Sequence, residues 1–247
     1  MTQKIIATIE ARMTSTRLPG KVLLEVLEQP LLLHMIKRIK RSQFIDEIVV
    51  ACTDNYEDDP IQELCELNEI SFFRGSENNV LQRVLEAAQS FNGDIIVELT
   101  GDCPLIDVEI LDQAIQIYLH NRVDYVSNGH IRSYPDGMDV QVFSTSSLEN
   151  SSKLTSHPDD LEHVSLFMRN NPKLFSKINI ISPPETFYPE LGLTLDTIED
   201  FQLIKEIILH FKNKNIPSCR EIIEFLNAQP ELVTINSHIK RKDYSLE

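Results

Sequence analysis

The chain has 247 residues, 42% hydrophobic and 25% charged, a composition suited to one large globular domain. Its 38 acidic against 23 basic residues give a formal charge of −15, which works against non-specific binding to nucleic acid or anionic membrane, since both need a broad basic surface. No apolar run approaches the ~20 residues needed to span a bilayer, and the N-terminus meets charge too soon for a secretion signal, so a cytoplasmic protein is expected.

Residues 4–11 ("KIIATIEA") form a β-branched run that predicts a strand, and 31–41 follow as a helix with Leu32, Met35, Ile36 and Ile39 on one stripe. Residues 47–52 ("EIVVAC") predict a buried strand. A helix over 58–67 comes next, with Asp59 as N-cap, Pro60 in the first turn and Gln62 completing a capping box. A short strand is expected at 70–74. The helix over 79–91 places Val80, Leu81, Val84, Leu85 and Ala88 on one arc and leaves Arg83 off it.

The alternation continues with a strand at 94–99, a helix at 107–119 that Asp107 would cap, and a strand at 123–127. This rhythm predicts an α/β fold, a mostly parallel sheet with helices on both faces. Beyond Ser127 it breaks: a turn leads into an alternating strand over 134–144, helices are expected near 145–154 and 158–169, and 192–211 reads as a strand running into a long helix. A last helix over 218–226 is capped by Ser218, and the polar stretch 236–247 reads as a loosely held tail. Cys52, Cys65, Cys103 and Cys219 show no zinc or redox spacing and read as reduced thiols.

The loop "ARMTSTRLPGK" (11–21) leaves the first strand and crowds Arg12, Arg17 and Lys21 into eleven residues of an acidic chain. In open α/β sheets ligands bind beyond the carboxyl ends of the strands. With Ser15, Thr16 and backbone amides as further donors, the loop suits a polyphosphate, although it is neither a GxxxxGK[ST] nor a GxGxxG loop. Asp102, delivered by Gly101 at the end of the strand 94–99, is placed to meet a divalent cation at the same edge, or serves only as a turn residue. Asp196 would supply a second carboxylate, the usual protein share for Mg²⁺, unless it or Thr197 is simply a helix cap.

The motifs "ARMTSTRLPGKVL", "ACTDNYEDDPI", "FRGSENNVLQR", "TGDCPLID", "YPDGMDVQVF", "LEHVS" and "TLDTIEDF" occur in the order and spacing of the spore-coat polysaccharide biosynthesis type of cytidylyltransferase. That group is similar to CMP-3-deoxy-manno-octulosonate synthetases and acylneuraminate cytidylyltransferases. The resemblance covers about residues 4–210 and implies a nucleotide-diphospho-sugar transferase fold, GT-A-like and Rossmann-like. Residues 1–127 would be a nucleotide-binding half and 128–210 a sugar-binding and dimerisation half of one domain. The implied reaction joins CTP to a 2-keto-3-deoxy sugar acid, giving a CMP-sugar and pyrophosphate.

By motif, Arg12, Arg17 and Lys21, with Ala11 beside them, would hold the CTP phosphates, and Asp102 and Asp196 would ligate Mg²⁺. Arg83 would face the nucleotide or the sugar carboxylate, and Arg74, Ser76 and Thr100 would line the base pocket. Asp136, Asp139, Glu162 and His163 would stand on the sugar side. The resemblance also implies a homodimer, with 128–145 as the expected contact. Two departures remove cations the family often has near the sugar: Gly192-Leu193 replaces Arg-Trp, and Leu161 replaces the Arg of "EREHV". A nucleotidylyltransferase for a sugar 1-phosphate and a non-catalytic nucleotide-binding protein are the rival readings.

Overall fold

The computed structural model describes residues 3–213 and 216–241. In chain order it contains β1 (Ile5–Glu10), the hairpin strands β2 (Glu25–Val26) and β3 (Gln29–Pro30), α1 (Leu31–Ile39), β4 (Glu47–Thr53), α2 (Asp59–Leu67), β5 (Ser71–Gly75), α3 (Val80–Ser90) and β6 (Ile95–Thr100). There follow α4 (Val108–His120), β7 (Tyr125–Ser127), β8 (Gln141–Ser144), α5 (Thr145–Leu154), α6 (Pro158–Glu162), α7 (Leu166–Asn170), β9 (Lys177–Asn179), α8 (Ile198–His210), α9 (Cys219–Ala228) and α10 (Pro230–Val233).

Seven strands make the main sheet in the order β5-β4-β1-β6-β8-β7-β9. The pairs β5–β4, β4–β1, β1–β6 and β7–β9 are parallel, and β8 runs antiparallel to both neighbours. Side chains alternate across the pleat. On β6, Ile95, Val97 and Leu99 join a large core with α1, α2, α4, α8 and α9, whereas Ile96 packs with α3, α5 and α7 on the other face. The α/β architecture expected from the alternation is therefore the one observed, and β1, β4, β5 and β6 all end at one edge.

Five local expectations differ. Asp58, not Asp59, precedes α2, and it makes no side-chain cap. Its carboxylate instead accepts from the Met13 N–H at 2.7 Å, the Thr53 N–H at 2.8 Å and the Thr53 hydroxyl at 2.6 Å, tying the first loop to β4. Gln62 forms no capping box because its amide oxygen accepts from Arg74. The helix over 158–169 is two short helices, broken where His163 leaves helical geometry (φ −110, ψ 80).

Residues 193–196 join no strand ladder; they are strapped across two loops, with the Leu193 N–H donating to the Asp136 carbonyl at 2.7 Å and the Leu195 N–H to the Asp102 carbonyl at 2.8 Å. The segment read as a loose tail is anchored up to Arg241: Asn236 is buried and donates to the Gly192 carbonyl and to Asp200. Residues 242–247 of that stretch lie outside the described residues.

Candidate active site

The polyphosphate-like loop and the two aspartates meet at the carboxyl edge of the parallel strands. Gly101 makes this possible, since its N–H donates to the Glu10 carbonyl at 2.8 Å and a Cβ there would stand only 2.8 Å from the same oxygen. The exit of β6 thus lies against the exit of β1, and Asp102 emerges beside the loop. Lys21 Nζ reaches Asp102 Oδ2 at 2.7 Å and Asp196 Oδ1 at 2.9 Å, and Arg17 Nη2 reaches Asp196 Oδ2 at 2.8 Å.

Asp196 is available because it is not the helix cap. Thr197 caps α8 in a capping box with Asp200, whose Oδ2 also accepts the Asp196 N–H at 3.0 Å. Burial alone would raise the Asp102 carboxyl, but the Lys21 charge and hydrogen bond outweigh it and hold its pKa below the usual carboxylate range. Burial would likewise lower the Lys21 ammonium; Asp102 and Asp196 overcome this and raise it. Two carboxylates drawn to one cation fit the donor set of Mg²⁺, which takes one or two carboxylates and completes its shell with phosphate oxygens and water. Among the described residues no group of three or more His, Cys, Asp or Glu side chains is placed to hold an ion.

A cavity of about 320 Å³ opens from this point along the sheet edge. Of the residues expected at the site, Arg17, Thr100, Asp102, Asp136, Asp139, Glu162, His163 and Asp196 line it. Ala11 is buried at the base of the loop, and Arg12 is exposed on it, its positive charge acting on Glu10 and Glu77.

Arg74, Ser76 and Arg83 stand apart from the cavity lining. Arg74 on β5 spends its guanidinium on Asp59, Gln62 and the carbonyls of Thr53 and Asn55, bracing the β4–α2 turn. Arg83 does not swing free of the α3 arc: it is buried and donates to the Ser76 carbonyl, while the exposed Ser76 hydroxyl accepts the Asn79 N–H.

Cations from other parts of the chain reach this region. Arg132, which ion-pairs with Asp136 at 3.0 Å and Asp139 at 3.4 Å, and Arg169 both line the cavity. Burial raises the Asp139 carboxyl against the pull of Arg132, helped by repulsion from Asp136. Arg241 arrives from beyond α10: Nη2 lies 2.5 Å from Asp200 Oδ1, and Nε lies 3.9 Å from Asp136 Oδ2. Gly192 leaves the room it occupies, since a Cβ there would fall 2.1 Å from Arg241 Nη2. Glu10, Glu98, Gln141 and Ser165 also line the cavity without having been singled out from the sequence. Glu98 had a sign, a lone acid inside the apolar run "DIIVEL"; Arg241 had none.

Comparison with known proteins agrees with this geometry. A cytidylyltransferase family model matches residues 6–236. The chain is 40% identical over 242 residues to an uncharacterised protein of Methanocaldococcus jannaschii, covering 98% of each, and 35% identical to the spore coat polysaccharide biosynthesis protein SpsF of Bacillus subtilis, covering 93% of this chain and 97% of that one. It is also similar to the structure of a cytidylyltransferase from Leptospira borgpetersenii, with a TM-score of 0.89, 35% identity and coverage of 98% and 100%. With its loop cations and paired aspartates at one sheet edge, the chain belongs to the cytidylyltransferase family.

Proposed function

We propose that the protein transfers CMP from CTP to a 2-keto-3-deoxy sugar acid, releasing pyrophosphate and supplying a CMP-sugar for surface polysaccharide or glycan synthesis. The observation that carries this reading is the convergence of Lys21 on Asp102 and Asp196 with Arg17 beside them. Arg12, Arg17 and Lys21 bind the triphosphate and stabilise the charge that passes to pyrophosphate as the sugar hydroxyl attacks the α-phosphorus in line. Such transfers depend on positioning and electrostatics, and no nucleophilic side chain is needed.

Asp102 and Asp196 hold Mg²⁺, which neutralises phosphate charge when bound. Arg132 and Arg169 offer the acceptor's carboxylate a cationic wall, while Asp136, Asp139, Glu162 and His163 face its hydroxyls. The enzyme works in the cytoplasm, and among the described residues no helix is long and apolar enough to cross a membrane. It acts as a homodimer through 128–145, where Ile131 is exposed.

The test is pyrophosphate release from CTP, UTP, GTP and dTTP, each offered with 2-keto-3-deoxy sugar acids and with sugar 1-phosphates, with Mg²⁺ and with chelator. Release from CTP with a sugar acid, abolished by chelation, is the expected result. Turnover restricted to a sugar 1-phosphate would replace the acceptor assignment. CTP binding without turnover of any acceptor would reject the enzymatic reading.

A further inference from the structure

Gln141 opens β8 and stands opposite Glu98 on β6 and Ser127 on β7. By the pleat it shares the face of Phe143, whose ring is stacked on that of Tyr125 with centroids 6.2 Å apart. The stack holds Tyr125 so that its hydroxyl reaches diagonally across the strand pair and donates to Gln141 Oε1 at 2.5 Å. The Ser165 hydroxyl donates to the same oxygen. Ser165 directly precedes α7 yet makes no side-chain cap there, because its hydroxyl is turned to Gln141 instead.

Two hydroxyls on one amide oxygen fix the way the amide faces. A separation of 2.5 Å suits an O–H···O bond and is shorter than N–H···O bonds, so the oxygen of the amide, not its nitrogen, meets Tyr125. Tyr125 is buried, and burial pushes its phenol up to about 12, which keeps the donated hydrogen in place at neutral pH. Gln141 Nε2 must therefore point the other way. It bonds to none of the described residues and, unlike Gln29 Nε2, is not closed off from solvent; since Gln141 lines the cavity, these N–H groups face into it. Arg132 and Arg169 on the same cavity offer cations to a carboxylate, whereas an uncharged amide donor matches an uncharged oxygen, and the uncharged oxygens that distinguish one sugar from another are its hydroxyls.

We propose that Gln141 is a specificity-determining residue of the acceptor site, its amide nitrogen donating to one hydroxyl oxygen of the sugar, with Tyr125 and Ser165 as positioning residues that fix the amide. This rests on the sugar-acid reading above and deepens it with a requirement for a hydroxyl at one carbon.

The experiment compares a parent sugar acid with a series of analogues, each lacking one hydroxyl, in wild type, Gln141→Met and Tyr125→Phe. The readouts are kcat/KM for the acceptor from pyrophosphate release, and CTP binding by calorimetry. In wild type one deoxy analogue is expected to fall about 10- to 100-fold below the parent, the cost of leaving a fixed donor unmet. The penalty for that analogue should fall toward unity in Gln141→Met and shrink in Tyr125→Phe, where the amide is released to turn, while both variants bind CTP as wild type does. Where Gln141→Met does not fold, Tyr125→Phe, which keeps its ring on Phe143, decides by the same comparison. No deoxy penalty at any position in wild type, or a penalty kept in full in folded Gln141→Met, would overturn the role of Gln141 alone. A penalty kept in full in Tyr125→Phe would overturn the positioning role. If no sugar acid reacts, the acceptor assignment falls and the role of Gln141 falls with it.

Discussion

Lys21 Nζ holds Asp102 Oδ2 at 2.7 Å although 81 residues separate them. Because Asp196 also contacts Lys21, replacing Asp102 leaves the lysine partnered. Asp102→Asn and Lys21→Ala are therefore expected to keep the fold and lose turnover. A preorganised charge contact to a transition state is worth ~3–4 kcal/mol, on the order of 10²–10³ in rate. Pyrophosphate release paired with circular dichroism checks this, and near-wild-type rates in a folded variant would remove these two residues from the chemistry.

The Glu10 and Glu98 carboxyls, both raised by their surroundings, make stability depend on pH in the opposite sense to the site ion pair. Glu10 titrates at about 7 in the folded chain against 4.5 as its ordinary value, so the folded state holds more protons between these limits and stability falls as pH rises through them. Asp102, lowered by Lys21, contributes above its ordinary value of 3.8 and loses that contribution on acidification. Thermal melting from pH 4.5 to 8 should show a declining midpoint in wild type and a flatter one in Glu10→Gln. Parallel curves for the two proteins would show that this carboxyl is not held protonated.

The Asp200 side chain is fully buried, and Arg241 is its charged partner. Removing one member of a buried pair costs about 3–5 kcal/mol, reduced here to about 2–3 because the Arg241 side chain is 20% exposed and Asn236 still donates to Asp200. Arg241→Ala should lower unfolding stability by that amount in urea titrations. Since Asp200 also receives the Asp196 N–H, KM for nucleotide should rise as well. Gly192→Ala should reproduce the effect by evicting the guanidinium. An unchanged midpoint in both variants would show that the clasp carries no energy.

Arg74 separates two assignments. Its four bonds to the β4–α2 turn make it a brace, so Arg74→Ala should reduce stability by about 1–3 kcal/mol while the affinity of the folded protein for CTP stays close to wild type. Calorimetric titration with CTP decides the matter, since a large loss of affinity without a loss of stability would return Arg74 to the base pocket.

The sheet and its helices were readable because burial imposes period: β1, β4 and β6 are mainly apolar runs, and α1 carries its stripe at Leu32, Met35, Ile36 and Ile39. Lys21 and Asp102 were readable because strand ends mark ligand edges. β9 has three residues, too few to show alternation. The break at His163 is a backbone excursion that no side-chain pattern announces. The bracing contacts of Arg74 were not readable because its partners, Asp59 and the carbonyls of Thr53 and Asn55, become neighbours only when β5 pairs with β4. Arg241 looked like tail charge because its contact with Asp200 spans 41 residues.

The clasp of Arg241 on Asp200 bears on how the protein matures. A nascent chain that has reached Lys240 already contains the loop cations, both aspartates and the whole sheet, yet it lacks the guanidinium that neutralises Asp200 beneath the Asp196 turn. A chain truncated before Arg241 would therefore keep the strands and the loop cations but leave Asp200, on which the Asp196 turn rests, with Asn236 as its remaining side-chain donor from that segment.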